Sequence, residues 1–418
     1  MPSRWPLAPS MASFIAAFIA AFIAASVAAP LAGCGLADDS GSVTFPDAAP
    51  TDTAGAPDVV APSDTVPVED TGPQADARDD SQQTSSSALL KADPDYLVPA
   101  GVADRRHVTV AGARVIWIER ASAGAAPRIA VWDLDDPDQP PSHITVPHLR
   151  DPRELVAEGS LLAYVDDRYG DDDVFALDLA TGIETAVVTR PGRQGHPALA
   201  RTTVAWEDCR RCVTGDAGTA FEILRRDLAG GPEEALTDDD VPDRGPVFGA
   251  LASGDLALAW RRGDRTLRVV TAPGGAELLD AAWDVERDVD GLALAEGLLA
   301  WRARPAIINP DSMIPSDLFI TDAATGATAT ATFHAERLAS LDGRPRAGHG
   351  RLAWLESAPG QPEVTLLRVA LADGLAPVGT AAIEGAVAAF GLGDAHIAFV
   401  APRGDNAGLP DVWVWTAP

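Results

Sequence analysis

The sequence predicts an all-β chain: a seven-bladed β-propeller closed by an N-terminal strand, preceded by a signal peptide and a disordered linker. Three observations predict it. A short apolar strand ending on an aromatic recurs at Trp117, Tyr164, Trp206, Trp260, Trp301, Trp354 and Phe399. The spacings of 47, 42, 54, 41, 53 and 45 residues are those of a strand-containing repeat in the forties, which builds a circular array. A turn glycine precedes the aromatic at Gly112, Gly159, Gly254, Gly297, Gly350 and Gly393, with Arg201-Thr202 in its place in the third unit.

Residues 1–33 read as the signal peptide. Arg4 supplies a positive start, Phe14 to Ala29 an apolar run, and Pro30 interrupts it. The run is about 16 residues, short of the ~20 that span a bilayer. Leu31-Ala32-Gly33-Cys34 resembles the lipobox of bacterial lipoproteins. The resemblance implies cleavage before Cys34, a diacylglycerol on its thiol and attachment to a membrane through acyl chains. An uncleaved transmembrane anchor with a chance cysteine is the alternative. Gly35 stands where an aspartate would signal retention at the inner membrane, so the expected location is the cell envelope, at the outer membrane or cell surface.

Residues 34–86 hold eleven acidic residues against one basic, Arg78, and are broken by Pro46, Pro50, Pro57, Pro62, Pro67 and Pro73. Such a segment buries too little apolar surface to offset its ordering entropy, and its charges repel. It is expected to be a disordered, extended tether; an O-glycosylated stalk is the second reading of its Ser, Thr and Pro content.

Residues 87–418 form the propeller. The aromatic-bearing strands, such as Leu162-Ala163-Tyr164-Val165 and Leu352-Ala353-Trp354-Leu355, have small and bulky residues on opposite sides. That suits a sheet packed between two other sheets. A third strand follows in each unit, from Ile129-Ala130-Val131-Trp132 to Val412-Trp413-Val414-Trp415, and a short outer strand follows that, as at 184–189 and 234–237. The seventh unit lacks its outer strand, and Ser87-Ala88-Leu89-Leu90-Lys91 is the expected replacement from the N-terminal side.

The run from Asp166-Asp167-Arg168-Tyr169-Gly170 through Asp178-Leu179-Ala180-Thr181-Gly182 resembles the repeat of TolB-like propellers of bacterial envelopes. The resemblance spans roughly residues 105 to 418 in degenerate form, the other units being shorter or longer. It implies binding of envelope proteins or peptides on one face of the disc and carries over no catalytic residue.

The net charge of −29 and pI near 4.4 exclude nucleic acid as a partner, since phosphate neutralisation needs clustered Lys and Arg. Cys209 and Cys212 form Cys-x-x-Cys in a turn after a strand. A thioredoxin-type pair needs a helix N-terminus and zinc needs four ligands, which leaves a loop disulfide, redox chemistry or free thiols. Asp166, Asp167, Asp171, Asp172 and Asp173 are the calcium candidates, against the reading of a solvated hairpin turn. His107, His143, His148, His196, His334, His349 and His396 are scattered and form no His-x-x-x-His or His-Glu-x-x-His pattern. No nucleophile elbow or phosphate-binding loop occurs. Trp283, Trp413 and Trp415 could line a groove, but Trp413 and Trp415 share one side of a strand and suit core packing.

The expected function is therefore a monomeric, non-catalytic envelope lipoprotein. Its propeller would bind a protein or peptide, and it would reach the membrane through Cys34, with no cofactor beyond the calcium candidate. The rival is a propeller enzyme, a hydrolase or lyase acting on an envelope glycan or small substrate. It would place carboxylates or histidines with shifted pKa values together at the channel mouth.

Overall fold

Why seven aromatics recur becomes plain in the computed structural model, which describes residues 95–98 and 104–416. Residues 123, 211–220, 264, 273–274, 283–286, 306–316, 331–343, 349, 359–360, 373–376, 385–386 and 403–409 lie outside that description. The described strands form seven antiparallel sheets of four strands each. In every sheet but the last, the strand order in space is the order in the chain, inner to outer. The inner strands are Asp104–Ala111, Arg153–Glu158, Arg193–Ala200, Asp243–Ala250, Arg287–Ala295, Arg346–Gly348 and Ala389–Leu392. Each touches the inner strand of the next blade, and the seventh touches the first, so they ring a central axis. Among the described residues no helix is long and apolar enough to cross a membrane.

Each aromatic sits on the second strand of its blade, from Trp117 on Arg114–Arg120 to Phe399 on His396–Pro402. Successive side chains on a strand face opposite ways, so a strand between two blades serves two cores. Ile116 and Ile118 face blade 2, packing with Leu162, Tyr164 and Phe175. Val115 and Trp117 face blade 7, packing with Val400, Val412 and Val414. The same division repeats around the ring: Tyr164 and Trp206 each point back at the preceding blade, as do Trp260, Trp301, Trp354 and Phe399. The hydrophobic core is thus seven inter-blade seams, with the aromatic as the large filler of each. Burying such a side chain contributes about 1.5–3 kcal/mol. Trp117, Tyr164, Trp206 and Phe399 are fully buried, and Trp354 is only partly so.

The seventh blade is completed by Tyr96–Leu97, which pairs antiparallel with Pro410–Thr416 in the register Tyr96↔Val414 and Leu97↔Trp413. Closure by the N-terminal side of the domain was expected, but the described closing strand lies later in the chain than 87–91, which is outside the described residues. Val98 N donates to Val412 O at 3.1 Å and Thr416 N donates to Asp95 Oδ2 at 2.7 Å, extending the seam at both ends.

The chain reverses from inner to second strand at one end of the disc, the turn face, where Gly112, Gly159, Gly254, Gly297 and Gly350 have φ between +58° and +84°. Arg201 takes the same role in blade 3 with φ +55°. The connections from second to third strand, and from one blade to the next, gather at the opposite end, the loop face.

Candidate functional site: the channel mouth

A bulge recurs at the loop-face end of the inner strands. Register with the second strand shifts between Arg106 and Thr109, Arg153 and Val156, Gly195 and Ala198, Arg244 and Val247, and Asp290 and Leu292. An extra residue in one strand of an antiparallel pair bends it and re-aims side chains. The residue in the bulge is left-handed each time: His107 (φ +51°), Glu154 (+54°), His196 (+48°), Gly245 (+61°) and Gly291 (+75°). In blade 6 the pairing of Gly348 with Arg351 matches that of Ala111 with Arg114, which sets Arg344 level with His107.

Blades 2, 3, 4 and 6 bring charged groups together at this level. His196 Nδ1 lies 2.7 Å from Glu207 Oε1, and Gly245 N donates to Glu207 Oε2 at 3.1 Å. His196 N donates to Glu154 Oε2 at 2.6 Å, and His196 Nε2 is 3.7 Å from Glu154 Oε1. Arg344 Nη2 reaches His196 Nε2 at 2.7 Å and comes within 4.0 Å of Glu154 Oε1. Since arginine can only donate, Nε2 accepts, which assigns the imidazole proton to Nδ1, facing Glu207. Burial alone would raise the Glu207 pKa, but His196, the Gly245 amide and Arg244 outweigh it and hold the carboxyl down at about 2. Glu207 is buried, whereas His196, Glu154 and Arg344 keep 25%, 20% and 33% of their side chains exposed and face the mouth. Blades 3 and 6 are three places apart in a ring of seven, so the Arg344–His196 contact crosses the axis.

The sequence-predicted residues fall elsewhere. Asp166 is buried and its oxygens accept from the amides of Arg150 and Arg168 and from the Arg168 guanidinium. That guanidinium also binds Glu184 and Tyr164 and lies 4.0 Å over the Phe175 ring. Asp172 pairs with Arg153 and Arg193, and Asp167 is 3.7 Å from Arg150. Asp171 accepts from Gly192 N, and Asp173 is buried at the start of the third strand. The chain's own arginines take Asp166, Asp167 and Asp172, and among the described residues no three acidic, His or Cys groups converge as a metal site needs. Cys209 is buried and disulfide-bonded; Cys212 and Cys34 lie outside the described residues. His143 is a partner of Glu119 at 2.8 Å. Trp415 is buried against Phe399 with ring centroids 4.4 Å apart, Trp413 stacks on the same ring, and Trp283 lies outside the description.

In the sequence His196 is one of seven scattered histidines, and Glu154, Glu207 and Arg344 carry no motif. One signal does mark the level: His107, Glu154 and His196 stand five residues ahead of the turn position (Gly112, Gly159, Arg201), and Gly291 and Arg344 stand six ahead of Gly297 and Gly350.

The fold and its mouth define a closed seven-bladed propeller with a charged channel entrance. No family model matches the chain, and no curated protein does. Among solved structures it is similar to a prolyl endopeptidase (TM-score 0.52, 14% identity, 74% of this chain and 46% of that one), so it spans less than half of that enzyme. It is also similar to an oligogalacturonate lyase from Vibrio parahaemolyticus (TM-score 0.51, 10% identity, 79% and 96% covered). TolB from Acinetobacter baumannii aligns with TM-score 0.39 at 16% identity over 65% of this chain and 66% of that one. The alignments with the endopeptidase and the lyase, at identities this low, show a shared propeller fold and leave activity open.

Proposed function

We propose that the chain is a lipid-anchored envelope protein whose propeller binds a protein or peptide at the loop face, without catalysis. The observation that carries the binding reading is the mutual pairing of the mouth charges. Glu207 is held by His196 and the Gly245 amide, and Glu154 by the His196 amide, with Arg344 4.0 Å from it. A general acid or base needs a pKa near the working pH, and a carboxyl held at about 2 stays ionised instead. A hydrolase or lyase is the second reading. It is favoured by His196, whose Nδ1 side faces a buried carboxylate, as an oriented base requires. Leu31-Ala32-Gly33-Cys34 and the acidic 34–86 stretch support the anchor and tether.

The binding reading is tested by photo-crosslinking in intact envelopes. A crosslinker replaces Tyr169, exposed between the second and third strands of blade 2, or Ser253, exposed on the opposite face. One protein adduct from position 169 and none from 253 is expected; equal yields, or none from either, would overturn it. In the same cells, Cys34→Ala should abolish incorporation of a labelled fatty acid, and undiminished labelling would remove the anchor.

A further inference from the structure

We propose that Glu154 and His196, backed by Glu207, form a seat for a guanidinium or ammonium group, that the natural occupant is an arginine or lysine side chain of the protein partner, and that Arg344 is its intramolecular stand-in. The inference rests on the reading of the loop face as a binding face, and adds what that face recognises.

The seat is built from three strands: Glu154 on the inner strand of blade 2, His196 on that of blade 3, and Glu207 on the second strand of blade 3. It presents one carboxylate and one imidazole acceptor towards the axis, with Glu207 behind the ring, 2.7 Å from Nδ1. Its occupant comes from the far side. Arg344 belongs to blade 6 and passes blade 5 to reach blade 3, and the sequence clears the way. A Cβ at Gly291 would lie 2.7 Å from Arg344 Cγ and 2.9 Å from its Cα, so a side chain there would displace it. Gly245 leaves blade 4 equally bare at the same level. Arg344 does not close on Glu154. Its Nη2 meets His196 at 2.7 Å but stands 4.0 Å from Glu154, outside the range of a charge-assisted hydrogen bond, and a third of the side chain is exposed. A guanidinium arriving along the axis is not tied to blade 6 and can meet Glu154 at a bidentate distance. Partly exposed ion pairs of long side chains are weak enough to exchange. The net charge of −29 draws cations towards the mouth.

The experiment uses the full chain and two fluorescein-labelled alanine-based pentapeptides, one with a central arginine and one with citrulline, read by anisotropy. Arg344→Ala empties the seat and is expected to tighten the arginine peptide by about tenfold, as removal of a competing internal state does. Glu154→Gln is expected to abolish that gain, and the citrulline peptide to show none. Thermal melts confirm that each variant folds; Arg344→Gln, which keeps length without charge, replaces Arg344→Ala if that variant does not. No tightening, or equal tightening for citrulline, overturns the seat. Non-specific attraction to an acidic surface would leave both variants like the parent and overturns it equally. A crosslinked partner at position 169 with an inert Arg344→Ala sinks the seat alone; tightened peptide binding without a crosslink sinks the partner reading alone.

Discussion

Left-handed backbone costs an L-residue about 1–2 kcal/mol, and glycine escapes that cost. His107, Glu154 and His196 accept it at one level of three consecutive blades, where Gly245 and Gly291 show that glycine would serve the backbone. Strain borne by titratable side chains at equivalent positions is the mark of a site rather than of a turn. Arg201 is the contrasting case. It is left-handed at φ +55° in an exposed turn where blades 1, 2, 4, 5 and 6 have glycine. Arg201→Gly is therefore expected to stabilise the domain by about 0.5–1 kcal/mol, the strain relieved exceeding the added freedom of the unfolded chain. A rise in urea midpoint at unchanged m-value would show it, and a fall would mean that the Arg201 side chain contributes more than its backbone costs. The turn glycines were legible in the sequence because one residue type answers a φ above zero. The bulge residues were not, because His, Glu, Gly and Arg occupy one position and their offset from the turn runs from five residues in blades 1 to 3, through six in blades 5 and 6, to nine in blade 4.

In every blade but the seventh, whose aromatic is Phe399, the recurring aromatic brings a polar tip as well as a large apolar body, and a buried N–H must find an acceptor. Trp117, Trp206 and Trp354 donate to Glu119, Asp208 and Glu356, each two residues on and hence on the same side of the strand. Trp260 instead uses Asp243 on the inner strand, and Trp301 uses Thr321 on the third. The local half of this rule was visible in the sequence as an acid two places after tryptophan; the other half depends on strand register, which spacing alone does not fix. Buried carboxylates gather at the loop-face ends of strands, Asp243 among these acceptors and Asp173 beside them, and stability should report the titration of those two. Burial, aided by Asp171 and Asp172, raises Asp173 to about 6, and burial raises Asp243 to about 6. Between pH ~4 and ~6 the folded state then holds more protons than the unfolded one, so both carboxyls make stability fall as pH rises through that window. Glu207, held at about 2, acts oppositely: its contribution is present above the ordinary glutamate range and is lost as pH falls towards 2. Asp173→Asn is expected to shallow the decline from pH 4 to 6 in thermal melts. An unchanged slope would show that Asp173 is not held in its neutral form.

At the scale of the ring, the question is how a two-residue strand closes a seven-blade disc. The number of blades and the side of closure were legible because each aromatic repeats a seam and an unpaired seventh edge needs a partner. Which residues close it was not, because a strand as short as Tyr96–Leu97 has no periodicity to read. Its hydrogen bonds are few, and the seam is held from behind. Val98 is buried with Val412, Val414, Val115 and Trp117 in the core shared by blades 7 and 1. Arg105, buried on the inner strand of blade 1, donates to Asp411 at 3.1 Å on the third strand of blade 7 and to the Val98 carbonyl at 3.5 Å, with Glu119 3.8 Å away. One guanidinium thus ties the first blade, the last blade and the closing segment. Asp411→Ala removes the nearest countercharge from a cation that is 5% exposed, and breaking such a buried pair costs about 3–5 kcal/mol. Equilibrium unfolding should show that loss, and hydrogen exchange should place the lost protection in blades 7 and 1 first, leaving blades 3 and 4 as in the parent. A loss below about 1 kcal/mol, the worth of an exposed pair, would mean that the apolar seam alone seals the ring and that the arginine is a passenger in it.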